Sequence, residues 1–67
     1  MIYKLLFSLM ESNFDIEEES FRVIEASDIN EVYEEAEKIE ASFKEKGWDC
    51  ANLEAIYDSE DNLIEEA

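Results

Sequence analysis

Alternating apolar and polar positions mark the first part of the chain as β-structure. Between residues 2 and 10 the large apolar side chains fall on every second position and share one face of an extended strand: Tyr3, Leu5, Phe7 and Leu9. Residues 21–26 are rich in β-branched and aromatic side chains and predict a second strand. The polar and acidic segment 11–20 between them predicts a long hairpin connection, with Phe14 and Ile16 turned inward.

At Asp28 the apolar spacing becomes that of a helix. Asp28 followed three residues later by Glu31 forms a capping box, which is typical of a helix start. Apolar residues then recur along one helical stripe: Ile29, Val32, Ala36, Ile39 and Phe43. Gly47 supplies a left-handed stop directly after a basic last turn. These signals together predict a helix over residues 28–46.

A second alternation follows the helix. Four apolar residues on every second position predict a third strand with one apolar face: Ala51, Leu53, Ala55 and Tyr57. Residues 58–62 have the composition of a turn, after which 63–66 can return as a short fourth strand. The element order β-β-α-β-(β) predicts one α+β domain over residues 1–67. In this domain a single helix packs on a three- to four-stranded antiparallel sheet.

The charge balance narrows the range of partners. The chain has 20 acidic residues, 5 basic residues and no histidine, which gives a net charge of −15 over 67 residues. Such a charge is typical of disordered chains, but 46% of the residues are apolar, which is enough to build a core. Electrostatic repulsion disfavours direct binding to nucleic acid or to an anionic membrane, and no apolar segment approaches the ~18 residues of a membrane span. The expected partner is a basic protein.

Catalysis and cofactor binding are not expected. Without histidine the chain lacks the commonest metal ligand and general base. The single cysteine, Cys50, excludes an internal disulfide, is expected to be a buried or half-buried structural residue, and favours a reducing, cytoplasmic location. Residues 58–62 offer oxygen ligands for calcium, but they do not complete the spacing of an EF-hand loop. A domain of this size has little volume for a catalytic pocket, so the chain is predicted to be neither an enzyme nor a metal or cofactor carrier.

The acids are concentrated on the predicted helix and in the segment before the second strand. Like charges three or four positions apart on a helix repel each other, so these acids do not stabilise it. A helix of 19 residues is about 28 Å long, comparable with eight base pairs of DNA, so a row of carboxylates along it can imitate phosphates. The residues expected to bind a partner in this way are Glu31, Glu34, Glu35 and Glu37, together with Asp15, Glu17, Glu18 and Glu19.

The segment Glu31-Val32-Tyr33-Glu34-Glu35-Ala36-Glu37-Lys38-Ile39-Glu40, the small size and the charge of −15 together resemble a functional class. In these respects the chain is similar to the small acidic DNA-mimic inhibitors of bacteriophages, which act on CRISPR effectors, restriction enzymes or histone-like nucleoid proteins. The resemblance implies an inhibitor that occupies the nucleic-acid-binding surface of a basic protein of the host.

An alternative function rests on apolar contacts. One helix covers only one face of the sheet, so the other face is expected to leave apolar side chains in water: Ile2, Leu6, Ile24 and Ile56. In this alternative the exposed face binds another protein or a second copy of the chain, as a homodimer, and the charge serves solubility.

Overall fold

The fold is an antiparallel sheet with one helix across it, as expected. We describe it from a computed structural model that covers residues 1–13 and 15–66. The described residues form four strands and one helix: β1 (Ile2–Glu11), β2 (Ile16–Glu25), α1 (Ile29–Glu45), β3 (Cys50–Asp58) and β4 (Leu63–Glu66). The sheet order is β2-β1-β3-β4 and every pairing is antiparallel, which confirms the α+β class and the short fourth strand.

The first hairpin is longer than the sequence pattern predicts. β1 and β2 pair without interruption from Ile2 opposite Glu25 to Glu11 opposite Ile16, so only residues 12–15 connect them. The acidic run 17–19 therefore lies in a strand, and the prediction that it belongs to a loop is wrong. Residues 16–19 are exposed on both faces of the sheet, so polar side chains are tolerated there once β1 supplies the backbone pairing. Ile16 is exposed rather than turned inward, and Phe14 lies outside the described residues.

Local hydrogen bonds define both ends of α1. The Glu31 N–H donates to Asp28 Oδ1 at 2.9 Å, which confirms Asp28 as the N-cap. At the other end Gly47 adopts φ 110°, its N–H donates to the Lys44 carbonyl, and the Trp48 N–H donates to the Phe43 carbonyl. This bonding pattern is a Schellman motif, which requires the left-handed residue that glycine supplies most easily.

The core lies between α1 and the helix-facing side of the sheet. The alternation of β1 is confirmed, since Tyr3, Leu5, Phe7 and Leu9 are all buried. They pack against the apolar stripe of α1, and the Phe7 and Phe43 rings are tilted with centroids 5.6 Å apart.

A β-bulge at Glu54 overturns the predicted facing of β3. Leu6 pairs with Ala55 whereas Phe7 pairs with Leu53, so Glu54 is an extra residue and the alternation reverses beyond it. Ile56 is consequently in the core with 1% exposure, while Ala55 and Tyr57 face away from the helix. The prediction of an exposed Ile56 is wrong for this reason. The same prediction for Ile24 is also wrong, because Ile24 pairs with Tyr3 and packs against the core.

Candidate interaction surface

The side of the sheet that faces away from α1 is a largely apolar surface, and we call it the open face. Alternate residues of β1 form its centre: Ile2, Lys4, Leu6, Ser8 and Met10. The residues of β2 and β3 that pair with them extend the face on either side. Val23 lies opposite Lys4 and Phe21 opposite Leu6, and their exposures are 67% and 55%. Within the described residues no second layer covers this face. Exposed apolar surface of this kind commonly marks an interaction site.

Lys4 organises the centre of the open face. Its Nζ lies 5.1 Å from the centroid of the Phe21 ring and 5.5 Å from that of Tyr57, within the range of cation–π attraction. The same ammonium donates to Asp61 Oδ1 at 2.5 Å. One side chain therefore connects β2, β3 and the turn before β4, and it orients two aromatic rings.

A groove with a volume of about 770 Å³ crosses the open face. Its apolar lining includes Leu6, Ala55 and Tyr57. Glu17, Glu18 and Glu19 line it on the β2 side, with Glu17 and Glu19 on the open face by register, and the bulged Glu54 lines it on the β3 side. Lysine and arginine combine an apolar stem with a cationic head, so a groove with an apolar floor and acidic walls suits these side chains.

Two of the four helical acids predicted to bind a partner are engaged within the chain. Glu31 Oε2 accepts from the Ser27 hydroxyl at 2.6 Å and from the Ser27 N–H at 3.2 Å. These two bonds, led by the one from the hydroxyl, hold the pKa of Glu31 below its ordinary value. Lys38 Nζ donates to Glu35 Oε1 at 3.3 Å. The other two, Glu34 and Glu37, are exposed on the helix.

The structure separates the two predicted sets of acids. Glu31 lies beside Ser27 at the end of the sheet where Met1 bonds to Ala26. Glu19 lies opposite Ser8, six positions along β1 from Ile2, which corresponds to about 20 Å in an extended strand. Glu17 and Glu18 are farther along β2, and Asp15 lies in the hairpin connection with φ 52°. Glu31 and the acids of β2 thus lie toward opposite ends of the sheet and do not form one continuous cluster.

The turn at residues 58–62, which offers oxygen ligands for calcium without an EF-hand spacing, uses its acids to close itself. Asp58 Oδ1 accepts from the Glu60 N–H and from the Asn62 N–H, both at 2.9 Å, and the bond from Asn62 is the main cause of the lowered pKa of Asp58. Asp61 pairs with Lys4. The described residues contain no cluster of three side chains placed to hold a metal ion.

Cys50 is exposed, which corrects the prediction that it is buried or half-buried. It pairs with Met10 at the end of the sheet, where the helix-facing positions are the neighbouring Leu9 and Ala51. Because Leu9 and Ala51 are buried under the helix, the next pair along the strands, Met10 and Cys50, lies on the open face.

Sequence reasoning did not find the central residues of the open face. The alternation of β1 predicts that Lys4 lies on the face away from the core, and so predicts a cation on that face. The sequence predicts Phe21 in a strand, but the face on which its side chain lies follows only from the pairing of Phe21 with Leu6 in the hairpin. The alternation of residues 51–57 predicts Tyr57 on the helix-facing side, which is wrong because the bulge at Glu54 reverses the alternation. Nothing in the apolar pattern of the sequence marks that bulge.

Comparison with models of protein families, with curated proteins and with solved structures gives no match to this chain. The helix in the described residues is too short and too polar to cross a membrane.

Proposed function

We propose that this protein is a binding module that docks on the nucleic-acid-binding surface of a basic protein and blocks it. The observation that carries the proposal is the groove on the open face, where Glu17 and Glu19 face Glu54 across an apolar floor. The net charge of −15 adds long-range attraction to a basic partner and repulsion of nucleic acid.

Docking combines two kinds of contact. Lysine or arginine side chains of the partner lay their stems on the apolar floor and pair with the carboxylates on either side. Phe21 and Tyr57 supply aromatic contact area of the type that dominates binding hot spots, and Lys4 already holds both rings in place. Cations that bind phosphates in the partner are then occupied by carboxylates, so nucleic acid and this protein compete for the same surface.

A binding experiment tests this mode of action. The protein is immobilised, exposed to cell lysate at about 0.05 M NaCl, and eluted with a gradient to about 0.5 M NaCl. The eluted partner is purified and titrated with this protein in the presence of labelled duplex DNA. We expect a basic nucleic-acid-binding protein, displacement of the DNA, and binding at least about tenfold weaker at the higher salt concentration. A ternary complex that retains the DNA contradicts the proposal.

Two matched variants locate the contact. The groove variant combines Glu17→Gln, Glu19→Gln and Glu54→Gln. The helix variant combines three exposed acids of α1: Glu34→Gln, Glu37→Gln and Glu45→Gln. Each variant removes three negative charges from the same total, so the loss of long-range attraction is equal. We expect the groove variant to lose binding and the helix variant to retain most of it. Equal losses would mean that only net charge matters, and a greater loss in the helix variant would move the site to α1.

A further inference from the structure

The free edge of β2 is built differently from the free edge of β4. Proteins usually protect sheet edges with short strands, bulges, proline or charged side chains, because an unpaired edge offers backbone hydrogen-bonding groups to another strand. β4 follows this rule, since it has four residues and its register shifts beside Tyr57. β2 has ten residues, no proline and an uninterrupted register with β1, so its charged side chains are its one protection: Glu17, Glu18, Glu19, Arg22 and Glu25. The long edge of β2 can therefore pair in a register that sets opposite charges against each other.

We propose that two copies of this chain pair antiparallel along β2, about a two-fold axis at Ser20, and so join their sheets into one. A two-fold axis normal to the sheet leaves each face of the sheet on the same side in both copies, so two even-numbered or two odd-numbered residues lie opposite each other across the axis. One residue of β2 must then lie opposite its own copy, and this residue defines the register.

Charge selects among these registers. Centring on Ser20 places Glu18 of each copy opposite Arg22 of the other, and Ile16 opposite Ile24. Opposite charges and apolar side chains in directly opposed positions stabilise antiparallel pairs. Centring on Phe21 instead opposes Glu17 and Glu25, whereas centring on Glu18, Glu19 or Arg22 opposes each of these residues to its own copy. The Ser20 register is the one in this set that pairs opposite charges without opposing like charges within the strand, since Asp15, which falls opposite Glu25, lies in the hairpin connection outside β2.

Arg22 is already positioned for this contact. Its guanidinium carbon lies 4.7 Å from the centroid of the Phe43 ring, on the helix-facing side of the sheet. Stacking on a ring uses the face of the guanidinium and leaves the N–H groups at its edge free to donate. Glu18 has the same parity as Arg22 and is exposed on the same strand, so a two-fold axis brings the two side chains together twice.

The salt dependence separates this dimer from the proposed function. Two chains of charge −15 repel each other, and added salt screens that repulsion. Dimerisation should therefore strengthen as salt rises, whereas binding to a basic partner weakens. Failure of one proposal is thus measured independently of the other.

Charge reversal tests the register by sedimentation equilibrium at about 0.5 M NaCl. We expect the wild type to dimerise, and Arg22→Glu or Glu18→Arg to raise the dimer dissociation constant about tenfold or more. Glu18→Arg is informative because it lowers the net negative charge and still should weaken the dimer. The double variant restores both opposite-charge pairs in reversed order and should dimerise again. Lys38→Glu, on α1, matches the charge change of Arg22→Glu and should leave the dimer unchanged.

Disulfide trapping provides a second measurement that does not depend on charge. In a Cys50→Ser background, residues opposed at the axis have Cα atoms about 4.5–5.5 Å apart, within the range of a disulfide. Ser20→Cys should therefore form a covalent dimer on oxidation, while Glu19→Cys and Phe21→Cys should not. A wild type that stays monomeric at the highest concentration and salt overturns the proposal. So does a dimer that ignores both charge reversal and the Ser20→Cys crosslink, and that outcome would assign the contact to the open face.

Discussion

Replacing Lys4 with methionine measures how much one cation contributes to the open face. The change removes two cation–π contacts, at 5.1 and 5.5 Å, and an ion pair with Asp61. Contacts of these kinds contribute about 0.5–1 kcal/mol for each ring and about 0.5 kcal/mol for a partly exposed pair, from which the apolar methionine recovers about 0.5 kcal/mol. We expect a net loss of about 1–2 kcal/mol, or roughly 5–15 °C in Tm for a domain of this size.

The control for this variant is Lys38→Met. It removes the same charge, so long-range repulsion increases equally, but the Lys38 side chain is 74% exposed against 33% for Lys4 and has one helical partner at 3.3 Å. A pair of that kind contributes about 0.2–0.5 kcal/mol. Thermal melts followed by circular dichroism should therefore show the larger loss for Lys4→Met. Equal losses in the two variants would refute a local role for Lys4 and assign the effect to net charge.

Three further predictions concern the helix and the bulge. Asp28→Ala should cost about 1 kcal/mol in a urea melt because it removes the N-cap, and Asp28→Ser should recover most of it; no loss would mean that the cap is not needed. Burial raises the pKa of Glu40, so its charged form is disfavoured in the fold; Glu40→Gln should raise Tm at pH 7, and this gain should vanish as the pH falls to about 3, where wild-type Glu40 is also neutral. A gain that persists at low pH would contradict the assignment. Deleting Glu54 removes the extra residue and keeps every β1–β3 pair, so that variant should fold. Deleting Asn52 instead moves Ala51 out of the core and should unfold the domain. The dispersion of the proton NMR spectrum distinguishes the two outcomes.

Local signals in the sequence were sufficient for the helix and for β1. Asp28 and Gly47 mark ends that depend on hydrogen bonds within a few residues, and Phe7 lies in an alternation that needs no knowledge of its neighbours. The start of β2 at Ile16 was not predictable in this way, because polar residues are tolerated in an edge strand once β1 provides its pairing partner. The bulge at Glu54 depends on register across distant strands, which no local window contains.

The candidate surface was only partly predictable for the same reason. The sequence pattern indicates a partly apolar second face and an excess of acids. It predicts residues 17–19 in a loop, from which their acids would extend the row of carboxylates on the helix. Their position beside Phe21 follows from the hairpin register. The groove exists because Glu54 is pushed out of the alternation on the neighbouring strand.

The central position of β1 also determines the order in which the fold can assemble. Its pairing with β2 is local, whereas Tyr3 must find Asp58 near the other end of the chain. Because distant contacts close more slowly, we expect the hairpin to form before β3 pairs with it, at a stage when Leu5 and Phe7, buried in the fold, are still in water. A hairpin in that condition adheres readily to other chains. Mutual repulsion between chains of charge −15 should keep such intermediates apart, so we expect the acids to limit aggregation during folding in addition to their role on the folded surface.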